Sequence, residues 1–190
     1  MKALEDKIIA EGKIFDGGVL KVGSFLNQRI DVQFVMEMGK EIARLFRGEK
    51  ITKVFTIESS GIAIAFAAAL ELEVPVVFAK KNKSTNVGDD VYTSRVHSFT
   101  HGNTYDAVVS KEFLCKEDTV LIVDDFLARG NALVGLIDMI KQSGAKLSGA
   151  AIAIEKGFQG GGDELRAKGY RIESLAIVDK MENGTIEFRR

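Results

Sequence analysis

Two adjacent carboxylates, Asp124 and Asp125, follow the apolar run Val120-Leu121-Ile122-Val123, and the small-residue stretch Ala128-Arg129-Gly130-Asn131-Ala132 comes soon after. The apolar run predicts a buried strand, which puts both acids at its carboxyl tip. A helix is expected to start near Asn131. A helix N-terminus offers unpaired N–H groups and partial positive charge, which suits a phosphate. Ala128, Gly130 and Ala132 let an anion approach the backbone, and Arg129 adds positive charge. Two carboxylates beside a phosphate repel it unless hydroxyl groups stand between them. Sugar hydroxyls donate to carboxylates, so the pattern asks for a ribose 5-phosphate. Mg2+ prefers carboxylate and phosphate oxygens and is a further candidate guest.

Other residues carry weaker signals. Glu58-Ser59-Ser60-Gly61 follows the β-rich run Val54–Ile57; it is either an anion loop or a plain strand-to-helix cap. Lys80 and Lys81 come after the expected strand Val74–Phe78, and Lys156 after the expected strand Ala150–Ile154. Taken alone, each lysine reads more readily as a solvated surface charge than as a functional group. His97 and His101 are four residues apart, but their surroundings read as extended chain or loop, which favours a packing or surface role over a general base. Gly160-Gly161-Gly162 lacks the Lys-Ser/Thr ending of a phosphate loop and reads as a flexible turn. Cys115 is expected to be a small buried apolar residue.

The elements that must position these groups alternate in type. Val35, Met38, Ile42 and Leu45 recur at helical spacing and predict an amphipathic helix over Asp31–Arg47, with Asp31 as its cap and Gly48 as its stop. Ile62–Glu71 reads as an Ala-rich buried helix, suited to a core or a dimer interface. Strand, loop, helix and strand within Val54–Phe78 make the unit of a parallel sheet. Asn82–Asp90 is polar and without period, hence a loop. Val91–Phe99 and Tyr105–Ser110 suggest an antiparallel excursion. Leu133, Leu136, Ile137 and Ile140 share a helical face that ends at Gly144, and Ile172–Val178 is a further strand. The expected fold class is α/β: an open, mainly parallel twisted sheet with helices on both faces and a small N-terminal hood. Ligands of such sheets sit beyond the carboxyl ends of the strands.

Composition limits the alternatives. The chain has 190 residues, of which 46% are hydrophobic and 28% charged, a balance that excludes a disordered or fibrous chain. This length fits a single domain, 1–190. With 26 basic against 27 acidic residues, the chain lacks the basic excess of a dedicated nucleic-acid binder. One cysteine supports neither a disulfide framework nor a Cys-cluster metal site. Gly61–Leu70, the longest uncharged and largely apolar run, is far shorter than the roughly 18–20 residues that cross a bilayer. The N-terminus carries acids at once and has no apolar core of a secretory signal, so a cytoplasmic protein is expected.

The thirteen residues Val120–Ala132 resemble the signature of the phosphoribosyltransferase family, an apolar strand, two acids and a small-residue loop leading into a helix. Response regulators and phosphatases also pair acids at a strand tip, but after an early strand and without this helix-start loop. The resemblance implies that Asp124 and Asp125 hold the ribose of phosphoribosyl pyrophosphate and that 128–132 bind its 5-phosphate. It further implies that Glu58-Ser59-Ser60-Gly61, Lys80 and Lys81 meet the pyrophosphate, with Lys81 in a catalytic role, and that the stretch after Lys81 is a flexible catalytic loop. Members with an Asp at the position of Ala128 use it as a base; that role is absent here. Val19–Asn27 resembles the base-covering hood of bacterial purine-using members, formed mainly by about 1–30 with a C-terminal contribution. The implied base contacts are Leu20 packing on the ring, the Asn27 amide on the 2-oxo group and Lys156 on the 6-oxo group. The implied activity is transfer of the 5-phosphoribosyl group to xanthine, with guanine, hypoxanthine or adenine as alternative acceptors. The implied accompaniments are substrate-bound Mg2+, no dedicated protein metal site, and a homodimer. A regulator that senses phosphoribosyl pyrophosphate and binds nucleic acid is the reading from another class.

Overall fold

A computed structural model describes residues 1–15, 17–81, 90–97, 104–182 and 184–190. The chain opens with helix α1 (Lys2–Glu11) and a short hairpin, β1 (Lys13–Phe15) with β2 (Val19–Lys21), paired antiparallel as a separate two-stranded sheet. A π-helical segment Gly23–Asn27 leads to α2 (Val32–Leu45). The Asp31 carboxylate caps α2 by accepting from the Phe34 N–H at 3.3 Å. This helix stops at Leu45, short of the expected Arg47, because the chain turns there to bury Phe46.

The main sheet follows with β3 (Lys53–Ile57), α3 (Gly61–Leu72), β4 (Val76–Lys81), β5 (Val91–His97), β6 (Thr104–Ser110), β7 (Thr119–Leu127), α4 (Asn131–Ser143), β8 (Lys146–Lys156), α5 (Gly161–Ala167), β9 (Ile172–Glu182) and β10 (Thr185–Phe188). Among the described residues its order is β10-β9-β8-β7-β3-β4-β6-β5. The five central strands, β9 to β4, run parallel. β10 adds antiparallel at one edge, and the β6–β5 pair adds antiparallel at the other.

Strand periodicity sorts the core into two layers. Leu121 and Val123 of β7 pack with Leu4, Val35, Met38, Ile42 and Ile64 on the face covered by α1, α2 and α3. Val120 and Ile122 pack with Leu133, Leu136, Ile137 and Ile140 of α4 on the other. Both faces of β7 are therefore dry, which explains its unbroken apolar run. The chain ends are tied together beside this core. The Met1 ammonium donates to the Leu175 carbonyl, and Arg190 pairs with Glu5 at 2.8 Å.

Several expected boundaries move. β7 runs through Asp124 and Asp125 to Leu127, because β8 continues beside it through Leu127↔Glu155. The acids are thus within the strand rather than at its tip. Lys80 and Lys81 are the last residues of β4, not part of a following loop, since β6 pairs with them at Val108 and Ala107. Lys156 likewise closes β8, paired with Val178, instead of following it. Gly160-Gly161-Gly162 is no free turn: Gly160 has φ 78° and Gly161 and Gly162 begin α5. Cys115 is exposed, and Leu114 takes the buried place next to it. The loop expected over Asn82–Asp90 falls outside the described residues except for Asp90, and so does the segment 98–103 joining β5 to β6, which includes Phe99 and His101.

Candidate active site

Consecutive strand residues point to opposite faces, so Asp124 and Asp125 have different surroundings. Asp125, half-buried, accepts from the Asn27 side-chain N–H at 2.5 Å. Asp124 is 6% exposed and its Oδ1 accepts from the Asp125 N–H at 2.9 Å. Burial, reinforced by the neighbouring Asp125 charge, pushes the Asp124 carboxyl well above the usual carboxylate range; Lys81 acts in the opposite direction. Its own burial, with the Asp124 charge second, pushes the Tyr105 phenol up. The Lys81 ammonium stands 5.6 Å from the Tyr105 ring centroid. Asp124, Lys81 and Tyr105 thus share one side of β7.

Beyond β7 the chain passes through 128–130 into α4. Gly130 has φ 84° and serves as the N-cap, a left-handed conformation that glycine adopts without Cβ penalty. No side chain caps this helix end, so its first N–H groups are available to an anion. The loop lines a cleft of about 140 Å³ with Tyr105, His97 and Phe126. The Asn131 amide donates to the His97 carbonyl at 2.9 Å, which pins the end of β5 to the start of α4. Arg129 is exposed on this loop.

The second loop, Glu58-Ser59-Ser60-Gly61, joins β3 to α3 and includes a cis peptide between Glu58 and Ser59. The Glu58 carboxylate accepts from the Lys81 N–H at 2.5 Å and fastens the loop to the end of β4. Ser60, at the N-cap of α3, makes no side-chain cap bond. Gly61 lies so close to β7 that an added Cβ would sit 2.7 Å from Asp124 Oδ1 and overlap the Thr56 hydroxyl. The loop and the acids therefore form one surface. Lys80 and Lys81 are consecutive on β4, so strand alternation sends their side chains to opposite faces.

Lys156 stands one strand over, at the end of β8. Its ammonium donates to the Gly18 carbonyl at 2.9 Å and lies 5.7 Å from the Phe126 ring centroid. Burial pushes its pKa down. Phe126, on β7 between the acids and the anion loop, presents an aromatic face beside Lys156. Sequence reasoning missed Phe126, because the extension of β7 to Leu127 rests on pairing with β8. Leu20, expected to pack on the base ring, is instead buried in β2 within the hydrophobic layer of α1 and α2, which turns its side chain into the core. Asn27 ends the π-helical segment, and its Oδ1 is buried without a hydrogen-bond partner.

The arrangement offers an uncapped helix start at α4, a pair of carboxylates, a second loop fastened to the Lys81 backbone, and an aromatic ring beside a lysine donor. Such a set can hold a phosphorylated sugar, receive an anionic leaving group and orient a flat heterocycle. Among the described residues no three His, Cys, Asp or Glu side chains converge. No described helix is long and apolar enough to cross a membrane.

The family model described as the phosphoribosyl transferase domain matches residues 22–184. The xanthine phosphoribosyltransferase of Lachnoclostridium phytofermentans is 54% identical over 191 residues, spanning 100% of this chain and 98% of that protein. That of Heliobacterium modesticaldum is 55% identical over 188 residues, spanning 99% and 100%. Among solved structures, the adenine phosphoribosyltransferase of Giardia lamblia complexed with 9-deazaadenine superposes with a TM-score of 0.77. It shares 24% identity and covers 94% of this chain and 98% of its own. The Trypanosoma brucei enzyme, with AMP, pyrophosphate and ribose-5-phosphate, gives 0.76 at 16% identity over 92% and 78%. At these identities the structural likeness speaks for the fold.

Proposed function

Because the chain belongs to the phosphoribosyltransferase family, we propose that it transfers the 5-phosphoribosyl group of phosphoribosyl pyrophosphate to xanthine, giving xanthosine 5′-monophosphate and pyrophosphate. One observation carries the reading: Asp124 and Asp125 precede the uncapped N-terminus of α4 on the same strand that brings Phe126 beside Lys156. Xanthine as acceptor is supported by full-length likeness to relatives named for it and by the donor-only chemistry of Lys156.

In this reading the α4 amides and the 128–132 backbone hold the 5-phosphate. The carboxylates accept from the ribose diol. When a ribose hydroxyl reaches Asp125, it takes the place of the Asn27 amide, whose N–H groups then turn to the 2-oxo group of the base. Lys156 donates to the 6-oxo group, while Phe126 stacks on the ring and Leu20 supports the hood from within. The bond from the ribosyl carbon to pyrophosphate breaks as the bond to the purine nitrogen forms, and the proton on that nitrogen passes to solvent. Negative charge builds on the leaving group, which Lys81 and the Ser59–Gly61 backbone would meet in this reading; preorganised donors of that kind supply much of the acceleration. Lys80 is the weaker member of the pyrophosphate set, given its opposite orientation. Were Mg2+ to arrive with the substrate, Asp124 and Asp125 would present the hard oxygen donors it favours. Residues 1–30 with the C-terminal strand form the hood. We place the enzyme in the cytoplasm, because charged sugar phosphates do not cross membranes unaided, and we read it as a homodimer.

The test is a purine panel with phosphoribosyl pyrophosphate, with and without Mg2+. The expected result is nucleotide formation most efficient with xanthine and dependent on Mg2+. Use of guanine or adenine with no reaction on xanthine would overturn the acceptor assignment.

A further inference from the structure

Helix α5 touches both halves of the site without lining either. On one side Gly161 lies against the anion loop, where an added Cβ would overlap the Ala128 carbonyl oxygen and the Arg129 carbonyl carbon. Leu165 of the same helix reaches the loop again, its Cδ1 3.0 Å from where a Cβ on Gly130 would stand. On the other side Arg166 grips Glu155, the residue before Lys156, through two hydrogen bonds of 2.9 and 2.6 Å. Glu155 is fully buried and also accepts from Ser174. Gly162 makes room for this carboxylate: a Cβ there would overlap Glu155 Oε1. A buried carboxylate held by a bidentate guanidinium is geometrically tight, because losing either partner leaves an uncompensated charge.

We propose that α5 is a positioning strut that fixes the spacing between the 5-phosphate loop and the base-binding lysine. Gly161 and Leu165 are its contacts to the loop, and the Arg166–Glu155 pair is its anchor to the end of β8. The proposal rests on the function proposed above and adds these positioning residues to it. The transferred carbon lies between the two ends of the substrate pair, so a shift of either end misaligns the reacting atoms. A displacement of about 1 Å far from the chemistry can lower rates by up to about a hundredfold.

Two variants separate the contacts. Gly161 has an ordinary negative-φ backbone, so Gly161→Ala adds only a methyl group pressed against Ala128 and Arg129. It is expected to raise KM for phosphoribosyl pyrophosphate about tenfold while KM for xanthine stays within about twofold. Arg166→Lys keeps the charge but loses the bidentate grip. It frees the strand end as well as the helix, and both KM values are expected to rise. Thermal midpoints measured alongside show whether the changes follow stability. Wild-type KM values for both substrates after Gly161→Ala, or KM changes that merely track the loss of thermal midpoint in both variants, overturn the proposal. If Gly161→Ala does not fold, Leu165→Val withdraws the contact to Gly130; the same selective rise is expected, and its absence is equally fatal. Wild-type enzyme assayed beside the variants shows whether xanthine is the acceptor. Should another purine serve, the KM comparison is made with that purine, so the strut and the acceptor assignment stand or fall separately.

Discussion

Burial raises the proton affinity of Asp124, and the adjacent Asp125 charge adds to it. The folded-state pKa therefore lies above the unfolded value of about 3.9. Between these two values the native state holds a proton that the unfolded chain has released, so stability falls as pH rises through that window. Above it, the ionised carboxylate is a standing destabilisation retained for binding ribose. Asp124→Asn keeps the acceptor for the Asp125 N–H and removes the charge. It is expected to raise the thermal midpoint at neutral pH by a few degrees while turnover collapses. Calorimetry at acid and neutral pH checks the sign: the gain must grow as pH rises, and a midpoint below wild type at neutral pH would contradict burial as the dominant cause. Lys156 offers a second measurement. A hydrogen bond from a charged donor is worth about 1.5–3 kcal/mol, so Lys156→Ala is expected to lower kcat/KM for xanthine by about ten- to a hundredfold. Asn27→Ala is expected to lose about tenfold. Unchanged use of xanthine by both variants refutes their assignment to the base. Because burial lowers the Lys156 pKa, the charged donor is lost as pH rises, and KM for xanthine should climb in alkali before that for phosphoribosyl pyrophosphate does.

At the scale of elements, the site depends on α3 meeting β7 at Gly61. A methyl group there would collide with the Thr56 hydroxyl and the Asp124 carboxylate. Both are held on strands, so the helix must move. Gly61→Ala is expected to destabilise the fold by about 1–3 kcal/mol, the usual range for overpacking, and to weaken phosphoribosyl pyrophosphate binding more than xanthine binding. Denaturant melts with substrate titrations test this; wild-type stability and affinity would show that the contact has slack. The sequence made this junction legible in part. Val54–Ile57 reads as a buried strand from its β-rich composition and Val120–Val123 from its unbroken apolar run, and α2 and α4 read as helices from their 3.6-residue stripes. The acids, the anion loop, Asn27 and Lys156 came from one motif and its family resemblance. Strand ends were not legible, because β7, β4 and β8 extend on hydrogen bonds supplied by neighbours distant in sequence. That extension parts Lys80 from Lys81 and brings Phe126 to Lys156. Helix α5 was hidden for a related reason: its glycines look like a turn until packing against Ala128 and Glu155 explains their size. Cys115 was misjudged as buried because residue type alone cannot say that Leu114 takes the inward position of that turn.

On the scale of the whole molecule, one apolar surface has no cover among the described residues. Val32 at the start of α2 is 62% exposed, Phe66 of α3 is 60% exposed, and Ile30 and Leu70 extend the same stretch. These two helices pack on each other, and between them runs a groove of about 530 Å³ that also includes Leu26, Asn27, Ser59 and Ser60. Exposed apolar patches of this kind are typical of protein–protein contact. A second copy meeting the first about a two-fold axis would cover the patch with the same patch. The groove borders Asn27 and the 58–61 loop, so association there would also restrain two parts of the site. The expected species at micromolar concentration is a dimer by light scattering. Phe66→Asp places a charge in the middle of the apolar surface without touching the core, and it is expected to give a monomer with an intact thermal transition and reduced turnover. A monomeric wild type, or a Phe66→Asp variant that remains dimeric, would remove this face from the assembly and leave its exposure unexplained by self-association.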